Sequence, residues 1–414
     1  MHNTLKIYLL FSAVTSPVYA NLHDEVQPDN GYHYQSPDEI KPFDAIDHDE
    51  EYYGCGGYLR LGAIYTQTKS SPGLSAGALS GELGCGYQYN QHIKAHVAAF
   101  GVADLGFNTQ QDIYKHPEFF NQYKDSYIML GEAVLTLSYQ NIEVHLGRQN
   151  FDSPHLDGDD LRMVANLFEA YLIDYHYSDE VYFGAGFVRE ASGWENGGDA
   201  ADFVAIGTAL GGNNQGAWVN WLSFEQENLS SNAWLYVIPE HLTMYYAELA
   251  FSDQLSPDVS YALGMQYDGG QEIGEARMGD INANTIGMMA AITAFNVTFT
   301  TAYNKNFGSA ALASVGGGVF YTSLEDQTLD AISGQDAQSL LISLEYNTDT
   351  WGAGLAAGDF SAKNKRLYHS QEINYFMHYS WQEKIGFEFM YAFIQDKTSP
   401  INTHQVRAML TYLY

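Results

Sequence analysis

Beyond its first 20 residues this 414-residue chain has no uninterrupted apolar run of about 18 residues, so helical membrane spans are excluded. Basic side chains are scarce, with 18 Lys and Arg against 50 Asp and Glu and a formal charge of −32. A nucleic-acid partner is excluded on that ground, because phosphate neutralisation needs clustered Lys and Arg. Proline is also scarce, with 10 in the whole chain. The two cysteines, Cys55 and Cys85, lie too far apart for a zinc knuckle. The 14 histidines form no His-Glu-x-x-His or comparable cluster, so no metal or other cofactor is expected from spacing. Gly73-Leu74-Ser75-Ala76-Gly77 fits the nucleophile-elbow pattern, yet a strand follows it where that motif needs a helix, and no catalytic residue is assigned. Asp157-Gly158-Asp159-Asp160 could offer oxygens to calcium but lacks the spacing of an EF-hand loop.

What is abundant points one way. The chain has 39 glycines, 32 tyrosines and 22 phenylalanines. It opens with Met-His-Asn-Thr-Leu-Lys, an apolar run from Ile7 to Pro17, and Val18-Tyr19-Ala20, the pattern of a secretory signal peptide (1–20) cleaved after Ala20. Asn21 follows, so no lipoprotein anchor is expected there. Residues 21–54 form an acidic arm with a single lysine, Lys41, expected on the periplasmic side as a solvated linker or, alternatively, a plug or cation-gathering device.

From about residue 55 to 414 the chain becomes a series of short alternating segments separated by turn residues, the pattern of a transmembrane barrel. Ile385, Phe387, Phe389, Tyr391 and Phe393 alternate with Gly386, Glu388, Met390 and Ala392. A soluble sandwich would charge its second face richly, whereas here that face is small and mixed. Leu340 to Tyr346 and Ile373 to Trp381 repeat the pattern, and the aromatics near segment ends suit membrane interfaces. The fold expected is all-β: a closed antiparallel barrel of about 18 strands, with about 16 the alternative, short periplasmic turns and long extracellular loops. The long stretches are 104–125, 151–166, 191–216 and 306–337, while Glu240-His241 must serve as an outer loop of almost no length. A cell outer-membrane location follows, with membrane lipid and lipopolysaccharide around the wall.

The final strand sets the phase. With Val406, Ala408, Leu410, Tyr412 and Tyr414 facing lipid, Gln405 and Arg407 face the lumen; Tyr412 and Tyr414 also resemble the signal read by the barrel assembly machinery. The same alternation places Arg60, Lys94, His96, Glu132, Glu143, Glu248, Glu345 and Glu388 inside. For any one of them the plain alternative is an ion pair that holds the wall. Arg148 and Arg189 fall on the outward phase, as rim positions near strand ends. Cys55 and Cys85 share a face on consecutive strands, which permits a disulfide if the register brings them together.

Leu146-Gly147-Arg148-Gln149, followed by Asp157-Gly158-Asp159, Arg162 and Leu167-Phe168-Glu169-Ala170, resembles the third-loop region of OprD-type outer-membrane porins. The resemblance implies that the loop at about 151–166 folds into the barrel and narrows it, with Asp157, Asp159, Asp160 and Arg162 at the constriction. It also implies an 18-stranded monomer or loose homotrimer passing small solutes, often carboxylates or basic amino acids, along an arginine-rich wall. This chain departs from the pattern in having few arginines, which favours cationic or zwitterionic solutes. The function expected is passive diffusion without enzyme activity. An adhesin or receptor acting through its long loops, and then a barrel enzyme, are the rival readings.

Overall fold

The computed structural model describes residues 52–69, 71–106, 112–274, 281–382 and 384–414. The expected signal peptide, and the arm up to residue 51, lie outside the described residues. Among the described residues there are nineteen strands: β1 (Tyr52–Thr68), β2 (Leu74–Asn90), β3 (Ile93–Asp104), β4 (Tyr127–Tyr139), β5 (Ile142–Gln149), β6 (Leu167–His176), β7 (Val181–Ser192), β8 (Val204–Ala205), β9 (Ala217–Gln226), β10 (Leu229–Ile238), β11 (Leu242–Ser256), β12 (Val259–Glu272), β13 (Asn282–Ala294), β14 (Val297–Gly308), β15 (Gln338–Asn347), β16 (Trp351–Ser361), β17 (His369–Trp381), β18 (Ile385–Asp396) and β19 (Asn402–Leu413). Eighteen form the barrel, and the two-residue β8 clips onto the upper end of β7. Every neighbour pair is antiparallel, and the sheet closes where β1 meets β19, from Tyr58 opposite Leu413 to Thr68 opposite Thr403. Among the described residues no helix is long and apolar enough to cross a membrane.

Alternation makes two surfaces from one sheet. On β15, Leu340, Ile342 and Leu344 are about half exposed outward while Leu341, Ser343 and Glu345 are buried inward. Lipid solvates the first set, and the second meets the lumen and the loops inside it. Among the described residues the register shifts at four places; two of them, at Gln88 to Asn90 and Gln254 to Ser256, adjoin turns, and the other two fall within the wall. Opposite Ala98 and Ala99 of β3, the β4 chain passes from Glu132 to Leu130, so Gly131 is an extra residue. The phase flips there, which keeps Leu130 and Leu135 both outward and Glu132 inward. A second slip makes Arg189 the extra residue of β7.

Cys55 and Cys85 are directly opposite on β1 and β2 and are joined by a disulfide. The bond lies on the outward face with Leu83 and Val97, near the periplasmic end, and the Tyr53 hydroxyl stands 2.8 Å from Cys55 Sγ. The outer connection between β10 and β11 is only Pro239-Glu240-His241, with Glu240 in the left-handed region (φ 56°). By contrast, the stretches 105–126, 150–166, 193–216 and 309–337 are long, and most of 150–166 and much of 309–337 is buried.

Two outcomes are expected. Replacing Ile342 by Arg should destabilise the barrel by roughly 2–4 kcal/mol, measured by urea titration of folding into vesicles, because the charge would stand in mid-membrane hydrocarbon. Denatured protein should expose its two thiols to a maleimide probe only after reduction; labelling without reductant would contradict the pairing.

Candidate functional site: a constriction built by loops against the wall

The strand β5 ends at Gln149, and the chain turns inward as the third outer loop, 150–166. Its apolar side chains seat it. Phe151 and Leu156 enter an interior cluster with Trp221, Trp234 and Tyr236 of the wall. His155 Nε2 lies 2.7 Å from Asp268 Oδ2 of β12, both fully buried. The backbone is fixed as well: Asp157 donates its amide to Val315 and Val315 donates to His155, so the third loop and the loop 309–337 share a short parallel pairing. Gly316 makes the close approach possible. Its φ is +84°, and a Cβ there would fall 2.1 Å from the Asp157 carbonyl oxygen.

Three arginines tie this double loop to the wall, Arg162 of the loop itself and Arg60 and Arg407 of the wall. Arg60 of β1 forks onto Asp160, Nη1 to Oδ1 at 2.7 Å and Nη2 to Oδ2 at 2.6 Å, and donates to the Arg162 carbonyl at 2.6 Å and to Thr411 Oγ1 at 3.1 Å. Arg162 donates through Nε to Glu118 at 2.6 Å and through Nη1 to Glu325 at 3.2 Å, with its guanidinium over the Trp194 ring at 4.4 Å. Arg407 of β19 donates to the other oxygen of Glu325 at 2.9 Å and to the Leu161 carbonyl at 2.6 Å. Glu325 therefore bridges a loop arginine and a wall arginine. Charge-assisted, forked bonds of this kind are strong and directional, and the planar guanidinium suits them better than an ammonium would.

Burial and charge act oppositely on the acids of these loops. Burial would raise the Glu325 carboxyl, but Arg407 and Arg162 override it and hold Glu325 below the usual carboxylate range. For Asp159 burial prevails, partly offset by Arg162, and its carboxyl is pushed up. Burial pushes Glu195 well above the ordinary value, with Asp159 nearby adding to the effect. Asp157 accepts the Asp159 amide through Oδ1 at 2.9 Å, which shapes the turn.

The sequence-derived candidates thus divide. Arg60, Arg407, Asp157, Asp159, Asp160 and Arg162 come together. Glu388 stands 3.9 Å from Arg407 at the edge of this group. Lys94, Glu132 and Glu143 lie on β3, β4 and β5, where Glu132 is 3.1 Å from His96 and Glu143 accepts from Ser138 Oγ at 3.0 Å. Glu248 accepts from the Tyr321 hydroxyl at 2.7 Å, and Glu345 is buried on β15. Arg148 and Arg189 face outward and share Glu169, at 3.6 and 2.7 Å, below the outer rim. Sequence reasoning missed Glu118, Glu325 and Trp194. All three sit in loops with no periodicity, and only the register between distant strands brings them to the arginines.

A family model described as outer membrane porin, OprD family, matches residues 113–371. The chain belongs to the OprD family of outer-membrane porins. No curated protein matches the sequence. Among solved structures, Acinetobacter baumannii OccAB3 is similar at a TM-score of 0.74 and 11% identity, covering 87% of this chain and 99% of that one. Pseudomonas aeruginosa OccK9 (OpdG) gives 0.74 at 14% identity, covering 87% and 98%. P. aeruginosa OpdK with vanillate gives 0.73 at 16%, also covering 87% and 98%. These likenesses carry the fold, while the family match carries the class: OprD-family proteins are outer-membrane channels, not enzymes.

Replacing Glu325 by Gln should leave two buried guanidinium groups short of a carboxylate. The loss expected is roughly 3–5 kcal/mol, seen as a lower temperature for loss of the compact, heat-modifiable band on a gel. The same change at exposed Glu227 in a periplasmic turn should do nothing; equal effects would deny Glu325 its bridging role.

Proposed function

We propose that this OprD-family porin passes small hydrophilic solutes by passive diffusion and prefers cationic or zwitterionic ones. The observation that carries the preference is the fate of the arginines. Arg60, Arg162 and Arg407 are each engaged by loop carboxylates, Asp160, Glu325 and Glu118. Their charge is matched before any solute arrives, and the remaining inward glutamates weight the lumen toward cations. The inward packing of 150–166 and 309–337 favours a channel over an adhesin, since these loops are spent on narrowing the barrel. Export through a signal peptide cleaved after Ala20, and assembly guided by Tyr412 and Tyr414, belong to the same proposal, with the outer-membrane lipid and lipopolysaccharide as surroundings.

A second reading has one observation behind it. OpdK was solved with vanillate, a carboxylate. A carboxylate solute could take the place of Asp160 or Glu325 on this chain's arginines.

Purified protein in a planar bilayer should show discrete open-channel steps and a reversal potential of cation sign in a salt gradient. No steps would sink the channel reading, and an anion-directed potential would favour the carboxylate one. The preference should also weaken as pH falls toward about 4, the ordinary carboxylate value. Asp159 and Glu195 are held above that value and take up protons first, while Glu325, held below it, keeps its charge longest. A cation preference unchanged from neutral pH down to that value would contradict this order.

A further inference from the structure

Beside the Arg60 end of the loop site, across Tyr58, the inner wall carries a second cluster that spacing in the sequence could not reveal. Glu82 of β2, His96 of β3 and Glu132 of β4 each offer one ligand atom, and these atoms all lie within 4.8 Å of one another. The register explains the meeting. Glu82 stands opposite Phe100, His96 opposite Gly86 and Val134, and Glu132 opposite Ala98, so all three point inward from adjacent strands at similar depth. The bulge at Gly131 sets the inward phase of Glu132. Both carboxylates are 3% exposed, and His96 Nε2 is 3.1 Å from Glu132 Oε2.

We propose that Glu82, His96 and Glu132 bind a divalent transition-metal cation, with zinc as its simplest representative. Two carboxylates and one imidazole form a mixed oxygen and nitrogen donor set that suits zinc and its first-row neighbours, whereas calcium and magnesium prefer oxygen alone. Two buried carboxylates this close repel each other, and a doubly charged cation would balance them. A separate observation concerns room. Position 84, on the same inward face as Glu82, is glycine, and a Cβ there would stand 3.0 Å from His96 Nε2 and 3.1 Å from Glu82 Oε1. The missing side chain therefore leaves a hollow bounded by two of the three ligand atoms. Three protein ligands leave further coordination positions to water or a solute. This inference concerns metal binding alone and stands whether or not the lumen conducts.

The test is a titration of the purified full-length barrel with Zn²⁺ against a chromophoric chelator in the presence of excess Ca²⁺. One equivalent held against the chelator is expected, and Co²⁺ in its place should give ligand-field absorption bands. His96→Gln and Glu132→Gln should each weaken binding roughly tenfold or more, as loss of a direct ligand should cost at least what loss of a supporting residue does. His404→Gln, at an exposed histidine, should leave it unchanged. Each variant is first checked for the heat-modifiable folded band. Should one fail to fold, the Co²⁺ bands of the unaltered protein decide. Zn²⁺ retention equal in His96→Gln, Glu132→Gln and the parent would overturn the proposal. So would absent bands, or binding that Ca²⁺ displaces, and the cluster would then be an ion pair of the wall.

Discussion

A backbone amide in hydrocarbon has no water to bond, so a sheet that crosses a membrane must leave no edge. Closure of β1 on β19 satisfies that demand for every strand between them. The pairing joins segments separated by some 350 residues, as the Arg60 bond to Thr411 illustrates. It also fixes which wall positions are neighbours. Arg60 and Arg407 reach the same loops only because their strands meet at this seam, one opposite Thr411 and the other opposite Ile64. The ion pairing between these loops and the wall is thus a consequence of how the barrel closes.

Inside the wall, the molecule is far from an empty tube. Phe151, Leu156, Leu312 and Val315 pack against inward aromatics, so loops and wall share interiors that resemble those of a soluble domain. Such burial changes what each charge does. Arginines that could greet an incoming anion are held by Asp160 and Glu325. Asp159 and Glu195 are left where protons compete for them at higher pH than they do on an open surface. The same residue types in a wet channel would carry different weight.

How much of this was legible in the sequence follows from which medium each side chain meets. Lipid is uniform, so Leu340, Ile342 and Leu344 had to alternate and could be read; the phase then put Arg60, Arg407 and the inward glutamates on the correct face. The very short turn at Pro239 to His241 was legible too, because the strand count required it. The β4 bulge was not visible, although Glu132 stayed inward on both sides of the argument. Contacts across the seam, or between loops, depend on register, and register leaves no local trace. Glu118, Glu325 and the meeting of Glu82 with His96 and Glu132 were hidden for that reason. The resemblance around Gly147-Arg148 located the inserted loop but not the partner loop that holds it.

That partner loop alters how the surface can evolve. Connecting segments ordinarily tolerate insertions because they run free over the surface. Here Gly316 lies against the Asp157 carbonyl with no space for a methyl group, and the two backbones exchange hydrogen bonds. A residue added to either loop would have to be answered in the other. Variation that lets a bacterium escape a phage or an antibody should therefore gather in the short outer connections at 69–73, 362–368 and 397–401, while these two loops drift together or not at all.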